Sequence, residues 1–549
     1  MSLGNLLTGT VGTLGDVVGG IGSAAGLGGV TQPLNPLLDH VGNTLGGVVD
    51  DTLGLTNDLL GILTPGGPFQ RCIKAALSND ASLYGFPDIL GAVNLPVVSD
   101  LTYDLSDVHP YNLDYRYQPA AVTYPTSAQQ AATVVQCALQ FGVAIAPRTG
   151  GHGYADFCLG GRDGALVIDT KNLNSFRLNA DGSVTFGAGL RLRDLTDHLA
   201  SIGRTAAFGV VGDIGTGGHC TIGGLGPLSR QLGTCADQLL SSQCVTASGQ
   251  VATASPYENP DLFFAIRGAA ASFCLVTEFT LSTIPSIPVT HFQFNITFGT
   301  VTDLAPFFIQ YQNFIAQPDL PREFSCTLTL LQDTIIFQGV YSGDVSGFDQ
   351  LNLQAILPFG NPSLQIVSKI VTTVTHDLVY AIQDIFGLLP THFYAKNLKF
   401  TPRTLMSPAA VEAMFEYIQN TNKGTLAWFI VWDLEAGRTN DFPASHSAYV
   451  HRDALYYMQI YLVDLLALSS SVNPAIKSFA NGLHALMQQL VPGVDDAAYP
   501  GYVDPELPAP QRAYWGVNVP YLQAVKRKWD PRNLFQGFAG QGIRADGVL

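Results

Sequence analysis

Three glycine-rich or small-residue segments carry the most chemical pattern in the chain. They are Pro147-Arg148-Thr149-Gly150-Gly151-His152-Gly153-Tyr154, Gly212-Asp213-Ile214-Gly215-Thr216-Gly217-Gly218-His219 and Arg267-Gly268-Ala269-Ala270-Ala271-Ser272-Phe273. Paired glycines let main-chain N–H groups approach an anionic ligand, and consecutive N–H groups form a nest for a pyrophosphate. Each segment alone is also an ordinary tight turn. None has the G-x-G-x-x-G after a strand that a Rossmann unit needs, so their joint order carries the information.

The elements that position these segments read as a mixture of helices and strands. SAQQAATVVQCALQFG has apolar residues at helical spacing with Ser127 as its N-cap, and it runs into VAIAPRTGG, a short strand and a glycine turn. ALVIDT, SVTFGAG and QLLSSQCVTASGQVATAS read as strands, the last as two strands around a Ser-Gly turn. Near Ser282 the glycine density falls, and HFQFNITFGT and FSCTLTLLQDTIIFQGVY alternate as strands, interleaved with helices such as PAAVEAMFEYIQN. A second domain begins there. The tail, RAYWGVNVPYLQAVKRKWDPRNLF, reads as one helix with late basic residues, halted by Asp530-Pro531.

At 549 residues the chain exceeds one ordinary core. With 47% apolar and 13% charged residues it reads as globular, and its net charge of −16 argues against nucleic acid and anionic membranes as partners. A neutral or cationic small substrate fits better. The eight cysteines include no CxxC pair and no zinc-ligand spacing, so no metal is expected. Asn295-Ile296-Thr297 is a glycosylation sequon, which is compatible with secretion and also arises by chance. Residues 1–65 hold no Lys or Arg and show broken Gly/Leu repeats, with neither a recognisable signal peptide nor a continuous membrane span. They read as a prosegment or loose extension.

In their order along the chain, RTGGHGY, the GxGGH segment, PDLFFAIRG followed by VTEF, PREFS, W-x-x-x-W-D, SAYVHRDALYYMQIY, Y-x-x-Y-V-D and YWGVNVPYLQAVKRKWDPRNLF resemble the vanillyl-alcohol oxidase superfamily. Within it they are similar to the berberine-bridge-enzyme-like carbohydrate oxidases of fungi, from about Phe69 to about Phe538. The resemblance implies an α+β fold: a two-part FAD-binding domain (66–282, with a C-terminal return at 495–549) and a substrate domain (283–494) whose large antiparallel sheet, covered by helices, roofs the flavin. It implies FAD bonded to His152, cradled by Arg148, Thr149, Gly150, Gly151, Gly153, Tyr154, Gly212, Gly215, Gly217, Gly218 and His219.

Relatives with a second attachment carry a Cys eight residues before the His of GxGGH. Val211 stands there, so one bond is expected. Cys220, the nearest thiol in sequence, reads as a buried structural thiol, and Cys72–Cys137 is the one pairing the resemblance implies. It also makes Tyr502 the base and Asp433 the carboxylate that activates it, with Tyr154, Gln459 and Tyr499 at substrate positions. An alcohol must lose its hydroxyl proton as hydride leaves its carbon, which a phenol near the ring can accept.

The departures fall on the substrate side. Thr329 and Val431 replace a glutamate and a glutamine of the oligosaccharide oxidases, and W-D-x-H-G-G becomes Trp432-Asp433-Leu434-Glu435-Ala436-Gly437. Ile214 stands where a residue passes the flavin face, so its bulk either restricts oxygen or simply packs. The expected activity is hydride removal from an alcohol, foremost a sugar's anomeric carbon, with oxygen or another acceptor reoxidising a secreted monomer. Oxidation of a secondary-metabolite alcohol or amine is the alternative, and a flavin-binding protein with little turnover is a further one.

Overall fold

The helix expected before the first glycine segment forms at Ala128–Phe141. Ser127 caps it by accepting the Gln130 N–H, and Gly142 ends it at φ +67°. The chain is described by a computed structural model over residues 67–86, 108, 110–358, 361–375, 391–464, 471–494, 497–537 and 540–547. The extension read at 1–65 lies outside the described residues.

Helix α1 (Pro68–Ala76) packs on α2 (Ala128–Phe141), joined by the Cys72–Cys137 disulfide with Cα atoms 5.8 Å apart. Strands β1 (Tyr84–Gly85), β2 (Ala121–Thr123), β3 (Ile145–Arg148) and β4 (Leu166–Asp169) form a sheet of order β1-β2-β4-β3, parallel except for β1. Strands β5 (Phe176–Leu178), β6 (Val184–Gly187), β8 (Leu239–Thr246), β9 (Val251–Ala254) and β10 (Cys274–Leu281) form an antiparallel sheet of order β5-β6-β10-β8-β9. The short strands β7 (Arg204–Thr205) and β11 (Ile284–Pro285) pair separately.

The third large sheet is antiparallel and seven-stranded: β15 (Leu364–Thr375), β12 (Pro288–Phe298), β14 (Thr334–Tyr341), β13 (Phe324–Leu330), β17 (Ala427–Leu434), β18 (Tyr456–Asp464) and β16 (His392–Phe400), in that order. On β17, Trp428, Ile430, Trp432 and Leu434 are buried and the intervening residues are partly exposed, the period-2 pattern of a strand. The buried face packs on Ala305–Ile315, Pro408–Asn420 and Pro474–Leu490, with the Trp432 ring 4.9 Å from Phe308. That leaves Phe429 and Asp433 on the opposite face.

Two details differ from the sequence reading. The tail is broken: Pro510–Trp515 ends at Gly516 (φ +47°), and a new helix runs Val519–Trp529. A residue with left-handed φ cannot continue a helix, so the glycine divides it. Cys220 is no free thiol but is bonded to Cys235, with Cα atoms 5.1 Å apart. Four helical residues, Thr216–His219, carry Cys220 back toward the turn at Cys235, a proximity that residue spacing alone does not reveal. The sequon residue Asn295 lies within β12, where its side-chain amide donates to Ser368 Oγ at 2.8 Å.

The tail also ties the first sheet to the third glycine segment. Ile145 N–H donates to Leu534 O at 2.8 Å. Trp515 Nε1 donates to Gly268 O at 2.9 Å, and fully buried Lys526 donates to Asp530 at 2.6 Å, to Phe535 O at 2.8 Å and to Ser272 O.

Candidate active site

A cavity of about 500 Å³ opens between the glycine segments and the free face of the seven-stranded sheet. Its floor is the loop after β3, Arg148 through Tyr154, with Gly215, Gly217, Gly218 and His219, and its roof includes Thr327, Phe429, Asp433, Gln459 and Tyr461. Tyr499 and Tyr502 close one side.

The floor is built by glycines that have two separate uses. A Cβ on Gly150 would lie 2.3 Å from Gly215 N, and one on Gly217 would lie 2.3 Å from Thr149 Oγ1, so the two segments touch only because these side chains are missing. Cβ atoms on Gly151 (φ +73°), Gly153 and Gly218 would meet nothing within 4 Å, leaving main chain open to a ligand. Such a cradle fits a large anionic cofactor.

His152 packs against Tyr111 with ring centroids 4.9 Å apart and planes tilted by 38°, and it lines the cavity. Arg148 is held by Asp169 at 2.6 Å. His219 Nε2 accepts the Gly209 N–H at 2.8 Å, and burial lowers its pKa to about 4, so it is a neutral acceptor that shapes the turn. Gly212 is not brought to the cavity. Its carbonyl instead accepts the Arg193 N–H at 3.0 Å, at the start of Leu192–Ser201. Of the third segment, Ala270 and Ala271 reach the cavity wall, while Arg267 turns away to donate to His446 O at 2.8 Å.

Tyr502 and Asp433, 69 residues apart, meet: the phenol donates to Asp433 Oδ2 at 2.7 Å. Burial pushes the Asp433 carboxyl up to about 6, opposed by that hydrogen bond. Burial, then the Asp433 charge, holds the Tyr502 phenol well above its usual range. Tyr154 OH accepts from Gln459 Nε2 at 2.7 Å and its ring stacks near Tyr502, with centroids 6.2 Å apart. Tyr499 OH accepts from the Gly224 and Leu225 N–H groups, at 3.2 and 3.4 Å. Thr329 and Val431, partners across β13 and β17, are not among the lining residues.

Several residues that the sequence did not single out hold this arrangement. Asn397 on β16 donates to Tyr502 O at 2.8 Å and accepts the Tyr499 N–H at 3.0 Å, clamping the turn that carries both phenols. Lys396 beside it binds Asp504 at 2.7 Å. Their only sequence signal is two buried polar residues in a strand, which local pattern does not distinguish from a solvent-facing pair. Phe393, Tyr461 and Phe429 stack in series, each centroid step 4.7 Å, beside Tyr154.

Three thiols line the cavity, Cys158, Cys274 and Cys326. Burial raises Cys158 and Cys326 to about 12, while a hydrogen bond with Cys244 and burial raise Cys274. Protonated thiols are poor nucleophiles. Among the described residues there is no cluster of three His, Cys, Asp or Glu able to hold a metal, and no helix long and apolar enough to cross a membrane.

The fold and site define an FAD-linked oxidoreductase. Residues 119–255 match the FAD binding domain family, and residues 498–543 match the berberine and berberine-like family. The FAD-linked oxidoreductase sorD of Penicillium rubens is 30% identical over 475 residues, 85% of this chain and 97% of that protein. The chitooligosaccharide oxidase of Gibberella zeae is 29% identical over 446 residues, 78% of this chain and 88% of that protein. A solved glucooligosaccharide oxidase from Acremonium strictum, described with a 6-S-cysteinyl, 8α-N1-histidyl FAD, superposes with a TM-score of 0.73 at 25% identity, covering 87% of this chain and 99% of that one. The chain belongs to the berberine-bridge-enzyme-like family of FAD-linked oxidoreductases.

Proposed function

We propose that the enzyme oxidises a CH–OH group of a sugar or oligosaccharide at its anomeric carbon, on FAD held covalently by His152 alone. In this reading 66–282 and 495–549 hold the flavin and 283–494 roofs it. The observation that carries it is the Tyr502–Asp433 hydrogen bond of 2.7 Å facing the glycine cradle. When bound, the flavin supplies the hydride acceptor. Tyr502 takes the substrate's hydroxyl proton as its own proton moves to Asp433 Oδ2, which together with loss of the carbon-bound hydride would turn the carbinol into a carbonyl, a lactone where the carbon is anomeric. The pair needs no rearrangement for this, since the phenol already donates to the carboxylate.

The single attachment is supported by position and chemistry together. His152 lines the cavity, Val211 cannot bond a flavin, Cys220 is locked to Cys235, and the three lining thiols are protonated. A second reading, oxidation of a secondary-metabolite alcohol, is favoured by the aromatic wall of Phe429 and Tyr461, backed by Phe393, and by the loss of two sugar-binding polar groups at Thr329 and Val431. Anaerobic mixing with panels of sugars and alcohols, read as bleaching of flavin absorbance, tests both. A sugar that bleaches the parent, and does so far more slowly with Tyr502→Phe, is expected; bleaching by apolar alcohols alone would reject the sugar.

A further inference from the structure

Glu435 is a carboxyl in the cavity that the proton relay does not use. The β17 ladder continues one residue past Leu434, since Glu435 N–H donates to Leu455 O at 2.7 Å. The side chain thus leaves on the same side as Asp433, about 7 Å farther along an extended backbone, and lines the same cavity at 5% exposure. Its carboxyl finds no hydrogen-bond partner among the described residues, because the bonds Glu435 makes run through its main chain.

Arg230, the cation beside it, is occupied. Its guanidinium donates to the carbonyls of Phe324 at 2.6 Å, Glu435 at 2.5 Å, and Leu320 and Pro321 at 3.3 Å each. Of the lining side chains Arg148 is a permanent cation, and it is paired with Asp169 on the floor. Among the described residues that line it, the substrate end therefore holds two carboxyls and no cationic side chain, Arg230 standing outside the lining as the cation nearest Glu435. A carboxyl taken from water without a partner is costly, and a ligand bringing positive charge removes that cost. The net charge of −16 draws such a ligand in.

We infer that Glu435 is a specificity-determining residue that recognises a protonated amine on the substrate, an amino sugar or amino alcohol. This rests on the reading of the cavity as the substrate site. It narrows that reading from alcohols in general to cationic ones, and it uses a position where the related pattern W-D-x-H-G-G carries a histidine.

The test is equilibrium binding to the flavin-loaded enzyme near neutral pH, read as perturbation of flavin absorbance, with two matched pairs: chitobiose against cellobiose, and 2-amino-1-phenylethanol against 1-phenylethanol. In at least one pair the amine binds about tenfold tighter than its neutral counterpart, and Glu435→Gln brings the ratio to within about threefold of one. Should that variant load no flavin, Glu435→Asp, which draws the charge back by a methylene, lowers the ratio by about threefold or more. Equal binding within both pairs, no perturbation by any of the four compounds, or a ratio that survives substitution would each overturn the inference. Binding is read apart from turnover. A parent that prefers amines while Tyr502→Phe bleaches at the parent rate would sink the relay and leave Glu435 standing, and the converse result would do the opposite.

Discussion

Replacing Asp433 by Asn should slow flavin reduction while making the folded enzyme more stable at neutral pH. The carboxyl is raised from 3.8 to about 6 by burial, even with the Tyr502 phenol donating to it at 2.7 Å. Such a rise corresponds to about 3 kcal/mol against the charged, folded form, and Asp433 keeps some exposure on the cavity wall, which reduces this to about 1–2 kcal/mol. The folded protein holds this proton more tightly than the unfolded chain does. The stabilisation from the proton is fully present below the unfolded value of 3.8 and is lost as pH rises through about 6. Asn, neutral and of the same shape, escapes that loss, so Asp433→Asn should exceed the parent by about 1–2 kcal/mol at pH 7 and equal it near pH 3. Reduction should fall by about 10² or more, because the amide cannot take the proton that Tyr502 gives up. In the parent the reductive rate should rise with pH through about 6 as Asp433 ionises. Denaturant unfolding at the two pH values and anaerobic stopped-flow reduction decide it. A variant no more stable than the parent at pH 7 would refute the burial argument, and one that reduces at the parent rate would refute the relay.

The purified enzyme should remain yellow through acid precipitation, whereas His152→Ala should release its FAD into the supernatant; a colourless parent pellet rejects the histidyl bond. Peptide mapping should find flavin on His152 and on no cysteine, with Val211→Cys the one change placed to add a second link. Ile214 lines the cavity while packing against the neighbouring core. If it screens the ring, reduced enzyme should react slowly with oxygen and quickly with a quinone, and Ile214→Val should speed the oxygen reaction; stopped-flow reoxidation that is fast in the parent and unchanged on trimming would remove Ile214 from the argument.

The parts of the site legible in the sequence are those whose reasons are local. Glycines at 150, 151 and 153 announce main chain that a ligand or a neighbour approaches, and the floor uses them in both ways. Period 2 on β17 separates Trp432 from Asp433 onto opposite faces. The illegible parts depend on contacts distant in sequence. Cys220 finds Cys235 through a turn that no spacing rule specifies, and Asn397 meets the Tyr499–Tyr502 turn from 105 residues away. Gly212 misled because a glycine in a phosphate-like run serves equally to let a carbonyl meet a helix start. Glu435 stood in view only as a departure from a pattern, since burial without a partner is a property of the fold.

The proposed relay is set by the roof, which carries its carboxylate and clamps the turn that bears its phenol. Asp433 lies on β17, and Tyr502 is held by Asn397 on β16, with β18 between the two strands. Any shift of that sheet moves the acceptor and the clamp together, so the 2.7 Å bond needs no cofactor to assemble it. The floor decides a different quantity, the distance from the bound flavin to the substrate carbon. Floor and roof are joined at Tyr154 with Gln459 and at Tyr499 with the Gly224 and Leu225 N–H groups. Gln459→Ala should therefore lengthen hydride transfer without disturbing the proton relay. Reduction should slow while the pH dependence set by Asp433 stays near 6. A shift of that pH dependence in the Gln459 variant would mean that the two halves of the site are one electrostatic unit, and that proton and hydride steps cannot be assigned to separate walls.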